Sequence, residues 1–326
     1  MKNCISKTNK PLVSFIIPYF NLPCDMLKEC VSSIMELSLS KDEREIIIID
    51  DGSDYSPIND LQDFRDDIIY VRQSNKGLSS ARNTGLTMAT GLYIQFIDSD
   101  DRLMTVAYES CLDIVRYKNP DIVKFDATDK PVKATSSDMQ GPIDGAVFMR
   151  NNNLNAAAWG YIFRRDIIQD MKFTPGIYHE DEEFTPLLML RAENVYITDA
   201  KAYYYRKREE SIMTKRDNRH IIKRLNDMEN IIIKLFDKSA ALPAHDSLAL
   251  QRRTAQLTMD YIYNTIVLTK SEKQLMQRIE RLADKGLYPL PDRKYSKKYV
   301  WFRKMSKSST GLRLMLRTLP VMAKHI

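Results

Sequence analysis

Three carboxylates fall within four residues at Asp98-Ser99-Asp100-Asp101, directly after the apolar run Leu92-Tyr93-Ile94-Gln95-Phe96-Ile97. Like charges this close repel one another unless something cationic neutralises them. A hard divalent cation such as Mg²⁺ or Mn²⁺ prefers oxygen ligands and often bridges one or two carboxylates to substrate phosphates. The same acids also fit a solvated turn in which Asp101 caps the next helix. A second acidic turn, Asp50-Asp51-Gly52-Ser53-Asp54, closes another apolar run. Its carboxylates suit hydrogen bonding to a nucleobase or ribose, and an ordinary strand-ending turn is the alternative.

Two further stretches carry usable chemistry. Asn75-Lys76-Gly77 runs into Ser79-Ser80-Ala81-Arg82-Asn83, a loop opening a helix. Lys76, Arg82 and the backbone N–H groups near Ser79 can offset phosphate or carboxylate charge. Neither a GxGxxG fingerprint nor a Walker A lysine is present. His179-Glu180-Asp181-Glu182-Glu183 gathers four acids, suited to a general base or to the positive end of a helix dipole. His179 is either a neighbour of metal or phosphate or a structural residue.

The elements that would position these groups are legible in outline. Residues 13–17, 45–49, 68–71 and 92–97 are short β-rich apolar runs, and residues 25–37 and 79–90 read as helices, the latter capped by Gly91. Continuous apolar strands joined by helices predict a mostly parallel central sheet covered on both faces, an α/β fold. Ligands in such sheets bind beyond the carboxyl ends of the strands, where the acidic turns fall. Residues 126–145, rich in Thr, Ser, Asp and Pro, read as a surface loop. From His220 onward Ile221, Leu225, Met228, Ile232 and Leu235 recur at helical spacing, followed by helical stretches at 248–268 and 272–282. The expected organisation is a tail over 1–10, a catalytic domain over 11–218 and a helical region over 219–326.

The chain has 326 residues, 44% hydrophobic and 28% charged, the balance of a globular protein with a sizeable core. Cys4, Cys24, Cys30 and Cys111 form no CxxC pair, which argues against structural zinc and for reduced cytosolic thiols. The first ten residues are polar, and no apolar run approaches the ~18 residues of a membrane span. The expected location is therefore cytoplasmic. Residues 292–326 hold ten Lys and Arg against one acid, Asp292, with Tyr299, Trp301 and Phe302 interleaved. Such a mixture suits an anionic membrane surface, with Leu312, Met315, Leu316 and Leu319 as the apolar stripe of an amphipathic helix. A C-terminal helix packed on the protein is the alternative. No nucleic-acid module accompanies the patch, so nucleic acid is not an expected partner.

Taken in order, Ile16-Ile17-Pro18-Tyr19-Phe20-Asn21, Asp50-Asp51-Gly52-Ser53, Asn75-Lys76-Gly77 with Ala81-Arg82-Asn83, and Asp98-Ser99-Asp100-Asp101 resemble the motifs of family 2 glycosyltransferases of the GT-A fold, over roughly residues 11–215. The resemblance implies a nucleotide-diphospho-sugar donor, usually UDP-linked, and inversion at the anomeric carbon. It implies that Pro18, Tyr19, Asn21 and Asp51 line the nucleoside pocket, with Asp50 and Lys76 nearby and Arg82 in support. Asp98 and Asp100 match the family's DxD motif, which holds Mn²⁺ or Mg²⁺ and the donor; whether Asp101 shares in coordination is left open. Asp181, preceded by Glu180, stands where the family has its general base. Trp159 matches an acceptor-side segment, stacking on a sugar or serving the core, although Tyr161 replaces the usual Lys. Arg206 and Arg208 fall in a segment, ending at Ser211-Ile212, that reaches the diphosphate in related enzymes. Acceptors in the family are saccharides or lipid-linked saccharides, which fits peripheral attachment to the inner membrane face. The rival readings are a nucleotidyltransferase, disfavoured by Pro18-Tyr19-Phe20-Asn21 where a Gly-rich loop would stand, and an inactive scaffold of polysaccharide assembly.

Overall fold

A computed structural model describes residues 10–130, 137–208 and 217–323. Most of the expected tail, Cys4, part of the expected 126–145 loop, Ser211-Ile212 and the last three residues lie outside the described residues. Two compact units divide the chain. The first comprises Met1–Gly145, Asn155–Gly176 and Leu187–Arg208; the second comprises Ala146–Leu154, Ile177–Pro186 and Glu209–Ile326.

The first unit is built on a sheet. β1 (Val13–Tyr19), β2 (Arg44–Asp50), β3 (Ile68–Arg72) and β4 (Tyr93–Phe96) lie in the order β3-β2-β1-β4, all parallel. Every residue of β1 is buried, as are Ile46, Ile47, Ile48 and Ile49 of β2, so both faces of these strands are covered. Each such aliphatic side chain contributes about 1.5–3 kcal/mol on leaving water. Helix α1 (Cys24–Met35) buries Leu27, Cys30, Val31 and Ile34, one helical stripe, in the same core cluster as Phe15 and Ile17. Helix α2 (Leu78–Met88) lies between β3 and β4 in sequence.

Gly91 does not cap α2, contrary to the sequence expectation. The helix ends at Ala89, and a Cβ on Gly91 would stand 2.8 Å from Ser14 N and 2.6 Å from Ser14 Oγ. Glycine is needed there because the chain passes tightly against β1. The other expected cap also falls elsewhere: α3 (Thr105–Lys118) starts after Met104, so Asp101 is not its N-cap.

Beyond β4 the sheet changes character. β5 (Arg102–Leu103), β6 (Ile122–Thr128), β7 (Met139–Ile143), β8 (Tyr161–Arg164) and β9 (Val195–Tyr204) complete the nine strands found among the described residues. β8 runs antiparallel to both β4 and β6, β9 is parallel to β6, and β5 and β7 pair antiparallel with β9. Parallel pairing thus holds for the first four strands, and the remainder is mixed. The expected 126–145 loop is partly strand: β6 runs to Thr128, and β7 pairs with β9 although it contains Gly141-Pro142. A proline is tolerated there because β7 pairs on one side only.

The second unit is helical. α4 (Gly145–Asn151) and α5 (Glu180–Met189) begin or end in it, and α6 (Asn218–Ala240), α7 (Ala244–Thr269), α8 (Glu272–Asp284), α9 (Lys297–Ser306) and α10 (Ser309–Met322) form its body. Glu229 of α6 is 7% exposed and accepts hydrogen bonds from Tyr261 of α7 and from Arg278 and Arg281 of α8, a polar tie among three helices. The stripe Leu312, Met315 and Leu319 of α10 is buried, and α10 packs on α7 and α9. Of the two sequence readings of this helix, its main apolar stripe is therefore used within the protein. No helix among the described residues is long and apolar enough to cross a membrane.

Candidate active site

The carboxyl ends of β1, β2 and β4 share one edge of the sheet, since Tyr19 pairs with Asp50 and Ile97 donates to the Ile16 carbonyl. Both acidic turns sit on that edge. Asp50 is fully buried at the end of β2, where Oδ1 accepts from Ser53 N (2.8 Å) and Oδ2 from the Tyr70 hydroxyl (2.6 Å), with Arg72 at 3.5 Å. These bonds compensate a charge that would otherwise be very costly to bury. Asp51 faces the loop after β3: Oδ1 accepts from Gln73 Nε2 (2.7 Å) and Lys76 N (2.9 Å), and Oδ2 from Gly77 N (2.7 Å). The turn that follows them needs Gly52, whose φ is +77° and whose Cβ would stand 2.7 Å from Asn75 N.

Residues after β1 close the same corner. Asn21 adopts φ +46°, a left-handed conformation Asn tolerates, and exchanges hydrogen bonds with Asp54, donating from Nδ2 (3.0 Å) and accepting from Asp54 N (2.8 Å). Pro18 and Tyr19 are buried in β1; the Tyr19 hydroxyl donates to the Leu22 carbonyl at 2.5 Å, and burial pushes its pKa up to about 12. The Lys76 side chain is exposed.

In the tetrapeptide after β4 the four side chains sort by alternation. Ser99 and Asp101 are 2% and 1% exposed, while the Asp98 and Asp100 side chains keep 29% and 16% exposure. Asp101 turns inward, where Oδ2 accepts from the Tyr203 hydroxyl (2.9 Å) and Oδ1 from Arg206 N (2.7 Å). Burial, and then the charge of Asp98, pushes its pKa up to about 8. Tyr203 also accepts from Asp98 N (3.0 Å), so one buried hydroxyl ties the start of the turn to its end. Asp98 Oδ1 meets Arg82 at 3.1 Å; Arg82 is 3% exposed and lies over the rings of Phe96 and Phe173. Asp100 Oδ2 meets Arg208 Nε at 2.6 Å, and Arg206 Nε donates to the Asp100 carbonyl (2.9 Å). Protein donors thus offset part of the repulsion expected among the three acids, one set for each carboxyl group, while Asp101 still feels the charge of Asp98.

The donor set still fits a hard divalent cation. Asp98 and Asp100 offer oxygen donors on the more accessible side of the turn, and among the described residues no third His, Cys, Asp or Glu joins them. Two carboxylates supplemented by substrate oxygens and water is the arrangement Mg²⁺ typically accepts. Beside the turn, Trp159 stacks on Tyr203 at 4.4 Å and 9° and lies 6.0 Å from Tyr205, which is 39% exposed. Tyr161, at the position where Lys is common, is fully buried.

Asp181 and Glu180 belong to the second unit, in the first turn of α5. Their neighbours Glu182 and Glu183 pair with Arg253 and Lys234, and Glu180 is buried. His179, at φ +63°, precedes the helix; burial, then Arg224, depresses its pKa to about 4.

Sequence reasoning singled out neither Gln73 nor Tyr203 as site residues. Gln73 links Asp51 to α2 through Thr84 (2.7 Å), and α2 carries Arg82 to Asp98, so the two acidic turns are mechanically joined. The sign in the sequence was the Tyr203-Tyr204-Tyr205 run at a strand end, but its partners lie about a hundred residues earlier.

A parallel β3-β2-β1-β4 half-sheet, an antiparallel β8 and a DxD turn at the carboxyl edge define a GT-A glycosyltransferase fold. Residues 14–169 match the family model described as glycosyl transferase family 2. The chain is 29% identical over 220 residues to YibD of Escherichia coli (strain K12), and 31% identical over 228 residues to EpsJ of Bacillus subtilis (strain 168), both described as uncharacterized glycosyltransferases. Each match covers 62% of this chain, and the chain spans 62% and 63% of those two relatives. The crystal structure of S. aureus TarS 1-349 in complex with UDP-GlcNAc superposes with a TM-score of 0.68 at 17% identity, covering 96% of this chain and 91% of that one. The match to glycosyl transferase family 2 extends over residues 14–169, a little under half of the chain.

Proposed function

We propose that the protein transfers a sugar, with inversion, from a nucleotide-diphospho-sugar, most simply a UDP-sugar, to an acceptor hydroxyl of a saccharide or lipid-linked saccharide. Such a reaction belongs to the synthesis of cell-surface polysaccharide or glycolipid, and a cytoplasmic site of action goes with it. The observation that carries this reading is the sorting of the tetrapeptide: Asp98 and Asp100 keep partial exposure while Ser99 and Asp101 are buried and Asp101 is anchored.

In this reading Asp98 and Asp100 would hold Mn²⁺ or Mg²⁺, and Asp101 orients the turn that presents them. The cation would neutralise charge on the departing diphosphate. Pro18, Tyr19, Asn21 and Asp51 form the nucleoside pocket with Asp50 nearby, Asp51 being held by the Lys76 and Gly77 backbone. Arg82 braces Asp98, and Arg206 and Arg208 supply positive charge for the diphosphate. Trp159, backed by Tyr203, offers a ring face to an acceptor sugar, and Glu180 is assigned to the acceptor. Asp181 takes the proton of the acceptor hydroxyl as its oxygen bonds to the anomeric carbon. The bond from that carbon to the phosphate oxygen breaks, and its electron pair leaves with the nucleoside diphosphate.

Thermal unfolding with UDP and Mn²⁺ tests this directly. The parent protein gains stability that needs both ligands, and Asp100→Ala loses that gain. An absent metal-dependent shift in the parent would sink the reading. A panel of UDP-, GDP- and dTDP-sugars, scored by donor hydrolysis, then identifies the donor; binding without hydrolysis or transfer would instead support an inactive scaffold.

A further inference from the structure

The last two helices of the helical unit turn apolar side chains and cations outward together. On α9, Trp301 is 48% exposed, with exposed Lys297 one turn before it and exposed Lys304 one turn after. On α10 the inward stripe is Leu312, Met315 and Leu319, yet Leu314, Val321 and Met322 remain 51%, 60% and 61% exposed. Arg313 and Arg317 are exposed on the same helix. At 3.6 residues per turn, positions 313, 314, 317 and 321 fall within an arc of about 100°. α10 therefore has a second, outward face that is half aliphatic and half cationic.

The charge is largely uncompensated. Residues 292–323 contain nine Lys and Arg and one acid, Asp292, which pairs with Arg303. Lys298 pairs with Asp260 and Arg313 with Glu272. Arg293, Lys294, Lys297, Lys304, Lys307 and Arg317 are exposed and have no ion pair among the described residues. A solvated basic face has no use for an outward Trp, Leu, Val and Met. An apolar protein contact would be opposed by so many unpaired cations of one sign. An anionic bilayer satisfies both: the indole sits at headgroup level, the aliphatic side chains enter the acyl boundary, and Lys and Arg extend their stems to lipid phosphate.

We propose that the outer faces of α9 and α10 dock the protein peripherally on an anionic lipid surface. The docking face lies wholly in the helical unit and is independent of the donor chemistry. It differs from the stripe expected from the sequence, because Leu312, Met315 and Leu319 are buried and the contact falls to Trp301, Leu314, Val321 and Met322.

The test uses the full chain, without nucleotide, sedimented with phosphatidylcholine vesicles that contain or lack phosphatidylglycerol. Binding to the phosphatidylglycerol vesicles is expected, with little to phosphatidylcholine alone. The triple charge reversal Lys297→Glu, Lys304→Glu and Arg317→Glu should lower vesicle partition at least about ten-fold. The pair Leu314→Ser and Val321→Ser should lower it independently. All five sites are exposed, so the thermal midpoint and the UDP–Mn²⁺ shift should stay at parental values, which separates this proposal from the one on the donor site. Absence of binding to anionic vesicles, equal binding to neutral ones, or charge-reversed protein that binds like the parent would each overturn it. So would tighter binding of a DNA oligonucleotide at the same salt, or a dimer in sedimentation velocity that dissolves on Leu314→Ser while vesicles are ignored.

Discussion

The Tyr203 hydroxyl serves two groups of the acidic turn, accepting from Asp98 N–H and donating to Asp101. Phe at this position keeps the ring on Trp159 but strands a buried N–H and half a buried carboxylate. Tyr203→Phe should therefore cost about 1–3 kcal/mol in urea unfolding, with UDP–Mn²⁺ stabilisation reduced as the turn loosens; an unchanged midpoint would show the hydroxyl to be dispensable. His179 supplies a pH dependence. Its folded pKa, about 4, lies below the ~6.5 of an unfolded histidine, so the unfolded state binds the proton more readily. The stability this residue contributes is complete above pH ~6.5 and is lost progressively as pH falls toward 4. Asn suits the left-handed backbone at this position and does not titrate. The thermal midpoint of the parent should thus fall below that of His179→Asn by a gap that widens between pH 6.5 and 4. Parallel curves would exclude His179 as the source.

Among the elements, α6, α7 and α8 meet at one buried carboxylate. Glu229 binds Tyr261, Arg278 and Arg281, and Arg278 is itself 3% exposed. Glu229→Gln keeps the shape but removes the countercharge from a buried guanidinium. A loss of about 3–5 kcal/mol is expected from denaturant unfolding. Glu229→Met combined with Arg278→Met should lose less than the single change, because no unpaired charge then remains buried. In the sheet unit, the turn after β2 depends on Gly52. Gly52→Ala has to hold a Cβ at φ +77° and against the Asn75 amide, and should weaken UDP binding through displacement of the 73–77 loop that holds Asp51. Isothermal titration with UDP would register it.

For the molecule as a whole, the proposed division of labour gives two different losses of function. Asp100→Ala should lose both nucleotide binding with metal and transfer. Asp181→Asn should keep the UDP–Mn²⁺ thermal shift yet lower transfer about 10²–10⁴-fold, as removal of a general base does. If Asp181→Asn transfers sugar at the parental rate, the base lies elsewhere. The sequence by itself determined the parallel half of the fold and the edge where the acids stand. Short runs such as Ile46-Ile47-Ile48-Ile49 are apolar on both faces and can be satisfied only inside a covered sheet. It also determined the long helices of the second unit, whose apolar residues recur every three or four positions. Tertiary structure alone decided the rest. Strand β7, with Gly141-Pro142 inside it, lacks a strand-like run, and the pairing of β7 and β8 comes from neighbours far along the chain. Gly91 looked like a cap until Ser14 was seen to lie against it. The burial within Asp98-Ser99-Asp100-Asp101 was decided in the same way. Spacing placed three like charges in one turn, but only the packed Tyr203 and the following Arg206 select Asp101 as the one turned inward, while Asp98 and Asp100 keep partial exposure. A short-range pattern can specify which residues are apolar or charged; which of two neighbouring acids is buried depends on donors that folding brings from a hundred residues away.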